Sequence, residues 1–185
     1  LRPATAYRAP PRLRFQFVLN YLAGLAWTTR EIKMNSDGTP WRPLVHGLDI
    51  ANAILCTLAA PREAVHNETF NVGDTTHNYT VREIAEIVGQ VFPGCQVSFG
   101  QQGADNRSYR VSFDKINGIL PGFSCDWNAQ RGAEQLRAVF TQIAMTPETF
   151  SAPGFTRLKQ LEHLIRTHQI DQDFFWKQNG TSLPL

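Results

Sequence analysis

Cysteine is scarce and poorly placed for cross-linking. Only Cys56, Cys95 and Cys125 occur, far apart and without a C-x-x-C pair. That spacing suggests neither a disulfide framework nor a zinc site, and Cys56, inside an apolar segment, reads as a small core residue. A reducing, cytoplasmic setting fits. No apolar run reaches the roughly 18 residues that a membrane span needs, and the first residues lack a signal-peptide layout. Charge of one sign is missing too: 18 basic against 16 acidic side chains leave a net charge of +2. The one basic cluster, Arg2, Arg8, Arg12 and Arg14, makes no stripe, which argues against nucleic acid as a partner. His163 and His168 are five apart, a spacing that does not align them on a helix, and no third ligand accompanies them, so no metal site is expected.

What is present is globular. The chain has 185 residues, 42% apolar and 18% charged, enough for one compact domain or one domain with an appendage. Residues 1–6 read as the end of a strand, broken by Ala9-Pro10-Pro11. Over 12–28, apolar residues at Leu13, Phe17, Leu19, Leu22, Leu25 and Ala26 predict a helix with a wide buried face. Residues 32–35 form a short strand, closed by a Ser36-Asp37-Gly38 turn. Further strands are expected at 41–46, 68–73, 95–100 and 109–113, with a flexible loop at 100–105.

The almost wholly apolar 50–60 segment predicts a helix buried on most sides, ended by Pro61. Thr80 and Glu83 have capping-box spacing at the head of a helix that runs to Phe92. Further helices are expected at 114–120 and 128–142, after Thr146-Pro147, and around Leu158, Leu161, Leu164 and Ile165. The last residues, "NGTSLPL", look like tail. Strands alternating with helices give an α/β or α+β class.

The stretch "SDGTPWRPLVHGLDIANAIL" (36–55) carries the sharpest question, because it sets Arg42 between Trp41 and Pro43 on an extended, half-buried segment. An arginine held there suits an anion, and spacing alone equally permits a surface arginine stacked on Trp41. His46 and Asp49 look like an acid–base or metal pair. The structural reading is favoured, with Asp49 capping the following helix and His46 hydrogen-bonding locally.

In order along the chain stand "LRPATAY", "SDGTPWRPLVHGLDIANA", "FNVGDTTHNYTVREIAEIV", "DNRSYRVSFDKINGILPGF" and "GAEQLRAVF". Together they resemble the C-terminal part of the NAD-dependent epimerase/dehydratases, the extended short-chain dehydrogenases that act on nucleotide sugars. The resemblance covers residues 1–142 and leaves 143–185 as a helical C-terminal extension. It implies an α/β fold made of a substrate-binding lobe and the last strands of a Rossmann-like sheet. It also implies that Pro3 and Ala4 lie along the nicotinamide of NAD, and that Thr5, Asn20, Arg42 and Arg107 meet a nucleotide-diphosphate sugar. For Arg107 the neighbour Arg110 is an alternative. Asn20 equally suits a role holding helix backbone.

Two features that the family uses are not in this sequence. Each of Tyr7, Tyr21, Tyr79 and Tyr109 has a residue other than lysine four positions on, so no Tyr-x-x-x-Lys pair exists for proton transfer. Gly100 and Gly103 lack the third glycine of a pyrophosphate-binding turn. With Leu at position 1, the expectation is a C-terminal fragment whose dinucleotide-binding part lies upstream, inactive alone, from a parent enzyme able to dimerise. Ser112 stands where the family usually has an acid, which weakens any role for Asp114 and Lys115. Arg8 replaces a usual glycine, and Gly47-Leu48 replaces a usual Val-Glu pair; either change would suit a degenerate copy. Two rival readings remain, a non-catalytic scaffold or binding protein and an extended reductase of a non-sugar alcohol.

Overall fold

The computed structural model describes residues 1–9, 13–101 and 107–177. Pro10, Pro11 and Arg12, most of the loop expected at 100–105, and the "NGTSLPL" tail lie outside the described residues. The chain opens with β1 (Arg2–Pro3) and β2 (Thr5–Tyr7), then α1 (Val18–Thr29), β3 (Glu31–Met34), β4 (Trp41–His46), α2 (Gly47–Ala59) and α3 (Arg62–Val65). It continues through β5 (Asn71–Val72), β6 (Asn78–Thr80), α4 (Val81–Val91), β7 (Gln96–Phe99), α5 (Asp114–Ile119), α6 (Ala129–Gln142), α7 (Pro147–Ser151) and α8 (Arg157–Arg166).

Three small sheets organise these elements. β1 pairs parallel with β5, β3 pairs parallel with β7, and β4 lies between parallel β2 and antiparallel β6. The mixed α/β class expected from the alternation is therefore present, with parallel pairing bridged by helices.

Two apolar cores hold the sheets. In one, Leu19, Leu22, Ala23 and Ala26 of α1 meet Ile84, Ala85 and Val88 of α4 and Ala133, Leu136 and Phe140 of α6. In the other, Val45 and Ala53 meet Val72, Phe113, Ile116 and Leu120. The capping box at the head of α4 is complete: Thr80 Oγ1 accepts from the Glu83 amide, and Glu83 accepts from the Thr80 amide. Gly38 turns the chain at φ +78°, where the left-handed backbone suits glycine, and its carbonyl accepts from the Arg82 amide.

Four expectations need correcting. The helix expected over 12–28 starts only at Val18, because Phe17 is extended, and Leu13 and Phe15 enter the core from irregular chain. Periodicity could not separate buried loop from buried helix there. The strand expected at 68–73 shrinks to Asn71–Val72. Residues 109–113 form no strand: Phe113 leaves the extended region with ψ at 11°, and side chains take backbone groups here, Asn78 bonding both ways to Val111 and Thr75 Oγ1 accepting from the Phe113 amide.

The fourth concerns α2, which is not buried on most sides. Only Asp49 and Ala53 are buried there, while Leu55 and Leu58 are 65% and 79% exposed and Leu48 and Ile54 are also exposed. α2 therefore sets one face, with Asp49 and Ala53, against the rest of the fold and leaves the other uncovered among the described residues.

Two outcomes follow from this packing. A contiguous exposed apolar face binds hydrophobic probes and promotes association; Leu55→Glu with Leu58→Glu should lower dye binding and concentration-dependent scattering while leaving the thermal midpoint nearly unchanged. At Gly132 a Cβ would stand 2.1 Å from the Tyr7 ring. Gly132→Ala should therefore destabilise the fold by about 1–3 kcal/mol in urea titration, the cost of overpacking a filled core.

Candidate functional site

Arg42 sits in the middle of β4, opposite Tyr79 of β6. The following Pro43 keeps its backbone extended. Its Nη1 donates to the Trp41 carbonyl at 2.8 Å and also to the Arg107 carbonyl. The guanidinium thereby ties β4 to the chain at 107–111, and the Tyr109 ring centre lies 5.8 Å from it. Trp41 is covered by a different arginine: the guanidinium of Arg110 sits 4.4 Å over its ring.

Thr5 arrives beside this strand because β2 pairs with β4 in the register Thr5 to Leu44 and Tyr7 to His46. The result is a cavity of about 420 Å³ whose wall includes Thr5, Arg42, Arg107 and Tyr109, faced by Phe17, Val18 and Tyr21 at the entry to α1. A second cavity, about 260 Å³, is lined by Pro3, Ala4, Thr5, Tyr109, Val111 and Phe113, among others. Thr5 and Tyr109 belong to both, and their hydroxyls stand 3.4 Å apart. Five of the six residues singled out from the sequence thus line two adjoining spaces, with the pair Pro3–Ala4 in one and Arg42 with Arg107 in the other.

Asn20 goes elsewhere. It is 1% exposed, its Nδ2 donates to the Arg8 carbonyl at 3.0 Å, and it is not part of either cavity wall. Its Nδ2 thus holds backbone, while its buried Oδ1 has no hydrogen-bond partner among the described residues. Tyr109, Phe17 and Tyr21 were missed as lining residues. For Tyr109 the signal was present, since it lies in "RSYR" between two candidate arginines. For Phe17 and Tyr21 there was none, because the false helix start put Phe17 on a regular apolar face.

His46 and Asp49 are both buried and both structural. His46 is itself the N-cap of α2: its Nδ1 accepts from the Leu48 amide at 3.2 Å, its Nε2 lies 3.0 Å from Gln135 Oε1, and its ring stacks on Trp127. Asp49 does not cap the helix as expected. Its carboxylate reaches across to accept from the amides of Asp126 and Trp127 at 3.0 and 3.3 Å. Burial raises the pKa of Asp49 and lowers that of His46, because both charged forms lose water there.

Asp114 accepts from Thr75 Oγ1 and Ser112 Oγ, which hold its carboxyl below the usual carboxylate range, and Lys115 pairs with Glu68 at 2.5 Å. Both serve local structure. The two departures at Arg8 and Gly47 touch each other: a Cβ at Gly47 would lie 2.3 Å from Arg8 Cδ. The stem of Arg8 occupies the space that a larger residue 47 would need. Among the described residues no three His, Cys, Asp or Glu side chains converge as metal ligands, and no helix is long and apolar enough to cross a membrane.

An α/β fold with two cavities that share Thr5 and Tyr109, beside parallel strands, is the class that this geometry defines. Residues 4–73 match the model of the NAD dependent epimerase/dehydratase family, which bears out over that stretch the resemblance read from the motifs. No curated protein matches the chain. Among solved structures, UDP-glucose 4-epimerase of Thermotoga maritima with UDP-glucose has a TM-score of 0.63 at 19% identity, over 78% of this chain and 46% of its own. An NAD-dependent NDP-hexosamine 5,6-dehydratase involved in tunicamycin biosynthesis gives 0.62 at 15%, over 76% and 45%. L-threonine dehydrogenase of Phytophthora infestans gives 0.62 at 16%, over 77% and 47%. These likenesses establish the fold, and the chain spans less than half the length of each of these proteins.

The burial of His46 has a consequence for stability. Its folded pKa lies below the ordinary value near 6.5, so the unfolded chain binds the proton first. Stability should be complete above that value and fall as pH drops through it toward the lowered folded pKa. Asp49, with a raised pKa, acts in the opposite sense in the carboxylate range. Urea midpoints between pH 7.5 and 5.5 should decline, and the decline should flatten in His46→Asn, where asparagine keeps a capping oxygen.

Proposed function

We propose that this chain is the substrate-binding portion of an NAD-dependent nucleotide-sugar epimerase or dehydratase. The observation that carries the reading is the cavity in which Thr5, Arg42, Arg107 and Tyr109 stand together, adjoining the one lined by Pro3 and Ala4. A diphosphate brings two negative charges, and arginine meets phosphate oxygens through paired, charge-assisted hydrogen bonds. Arg42, half-buried and braced on two carbonyls, has lost much of its freedom before a ligand arrives, which lowers the entropy cost of binding.

The second cavity suits the flat, apolar edge of a nicotinamide. Pro3, Ala4, Val111 and Phe113 offer an apolar surface, and Arg2, Asn71, Thr5 and Tyr109 bring polar groups to the same wall. The bound dinucleotide would supply a hydride acceptor and donor beside the sugar. This chain would contribute the wall that orients the ring, the hydroxyls of Thr5 and Tyr109 between the two spaces, and the arginines that anchor the diphosphate. In the intact cytoplasmic parent enzyme, which can be a dimer, proton transfer falls to groups outside this sequence, since no tyrosine here is followed by lysine at four residues.

Affinity for UDP-glucose, measured by calorimetry and compared with uridine, tests the reading. Arg42→Ala should weaken UDP-glucose by about 10- to 100-fold, from the 1.5–3 kcal/mol typical of hydrogen bonds to a charged group. Arg42→Lys should recover only part, because an ammonium cannot form the paired fork. Equal affinity for uridine and UDP-glucose, or an unchanged Arg42→Ala, would turn the assignment toward a reductase of an uncharged alcohol.

A further inference from the structure

The C-terminal segment from Thr146 to Phe155 has no role in the reading so far, yet its aromatic side chains meet the back of the candidate substrate cavity. Thr146 caps α7, its Oγ1 accepting from the Thr149 amide. The short helix then presents Phe150 to α1. The ring lies against Gly24, where a Cβ would stand 2.2 Å from Phe150 Cε2. No larger residue at 24 leaves room for it. Phe150 also meets the edge of Phe15, with ring centres 4.7 Å apart and planes at 75°, and lies 6.0 Å from the Tyr21 ring.

A second contact holds the same stretch. The Phe15 amide donates to the Phe155 carbonyl at 3.2 Å, and the two rings sit edge to face at 5.8 Å. Phe15 is therefore gripped through both backbone and side chain by residues 150–155. The residues that follow it, Gln16, Phe17 and Val18, with Tyr21 one turn into α1, form the wall facing Arg42. Up to Phe17 that wall is not regular helix, and helical bonding reaches it only where the Tyr21 amide donates to the Phe17 carbonyl at 2.8 Å. Its shape depends on what packs behind it.

We infer that residues 146–155 are a positioning element for this cavity, with Phe150 as the positioning residue that fixes the Phe15–Tyr21 wall. The inference rests on the proposed reading only for the identity of the ligand. Phe150 itself is not in the cavity wall and touches no ligand there; it acts through Phe15 and Tyr21. Ordering a loosened wall on binding costs free energy, which preorganisation by the segment removes.

The test uses the full chain and two readouts. Amide hydrogen exchange reports the wall without any ligand, and calorimetry with UDP-glucose reports the cavity. In Phe150→Ala, exchange at Tyr21 and Leu22 should rise about tenfold while the interior of α6 is unaffected, as for a local opening. UDP-glucose should bind about fivefold more weakly, the order expected for ordering one further side chain, and Phe150→Tyr should restore most of it. If Phe150→Ala fails to fold, Phe150→Leu keeps apolar volume and should show the same two changes, smaller. Unchanged exchange at Tyr21 and unchanged affinity, with only a lower melting temperature, would reduce Phe150 to a core residue and overturn the inference. Faster exchange at Tyr21, in a protein that never binds UDP-glucose, would keep the positioning role and defeat the nucleotide-sugar reading instead.

Discussion

The parallel pairing of β2 with β4 is the contact on which the site depends. Three register pairs, Thr5 with Leu44, Ala6 with Val45 and Tyr7 with His46, join the first strands to the one that carries Arg42. Because side chains alternate across a strand, a slip of one residue would turn Thr5 away from the cavity and expose Tyr7. Tyr7 guards against that slip. It is buried, its hydroxyl donates to the carbonyls of Asn128 and Trp127, and Gly132 leaves space for its ring against α6. A core residue with no part in ligand binding thus sets the register that brings the site together.

The buried polar groups near this pairing do the same kind of work. His46 and Asp49 would invite a catalytic reading from their spacing and burial. Their partners decide otherwise: the hydrogen bonds of the two go to backbone or to Gln135, the His46 ring packs on Trp127 and Tyr7, and none of these partners lines either cavity. Asp49 fastens the start of α6 to α2, much as Asn78 fastens the 107–111 chain to β6. Since unpaired buried polar groups are costly, such fasteners specify one arrangement of irregular chain where no ladder of backbone bonds exists. The contact between Arg8 and Gly47 belongs here as well. The Arg8 stem fills the space that the missing side chain of Gly47 leaves between β2 and α2.

The C-terminal segment changes how the fold is divided. Met145, Phe150 and Phe155 join the same apolar core as Leu136 and Phe140, so the residues after α6 continue that core rather than begin a separate one. The aromatic cluster around Phe15 is the physical link. It binds the segment to the irregular stretch before α1, and that stretch forms one wall of the larger cavity.

Local signals determined much of this from sequence alone. The capping box at Thr80 and Glu83 and the extended Trp41–His46 strand ahead of an apolar helix are short-range patterns, as is each of the motifs whose order resembles the epimerase/dehydratase family. The shortlist of Pro3, Ala4, Thr5, Asn20, Arg42 and Arg107 comes with the family resemblance rather than from local pattern, and the fold gathers all but Asn20 around two adjoining spaces. Tertiary structure decided the rest. Whether Leu13 and Phe15 are helix or loop, which arginine covers Trp41, where Asn20 and Asp49 send their polar atoms, and how exposed α2 is all depend on partners 10 to 100 or so residues away. Periodicity records that a side chain is apolar and where it repeats. Only the packed chain settles what it lies against, because burial and hydrogen bonding are properties of pairs rather than of positions.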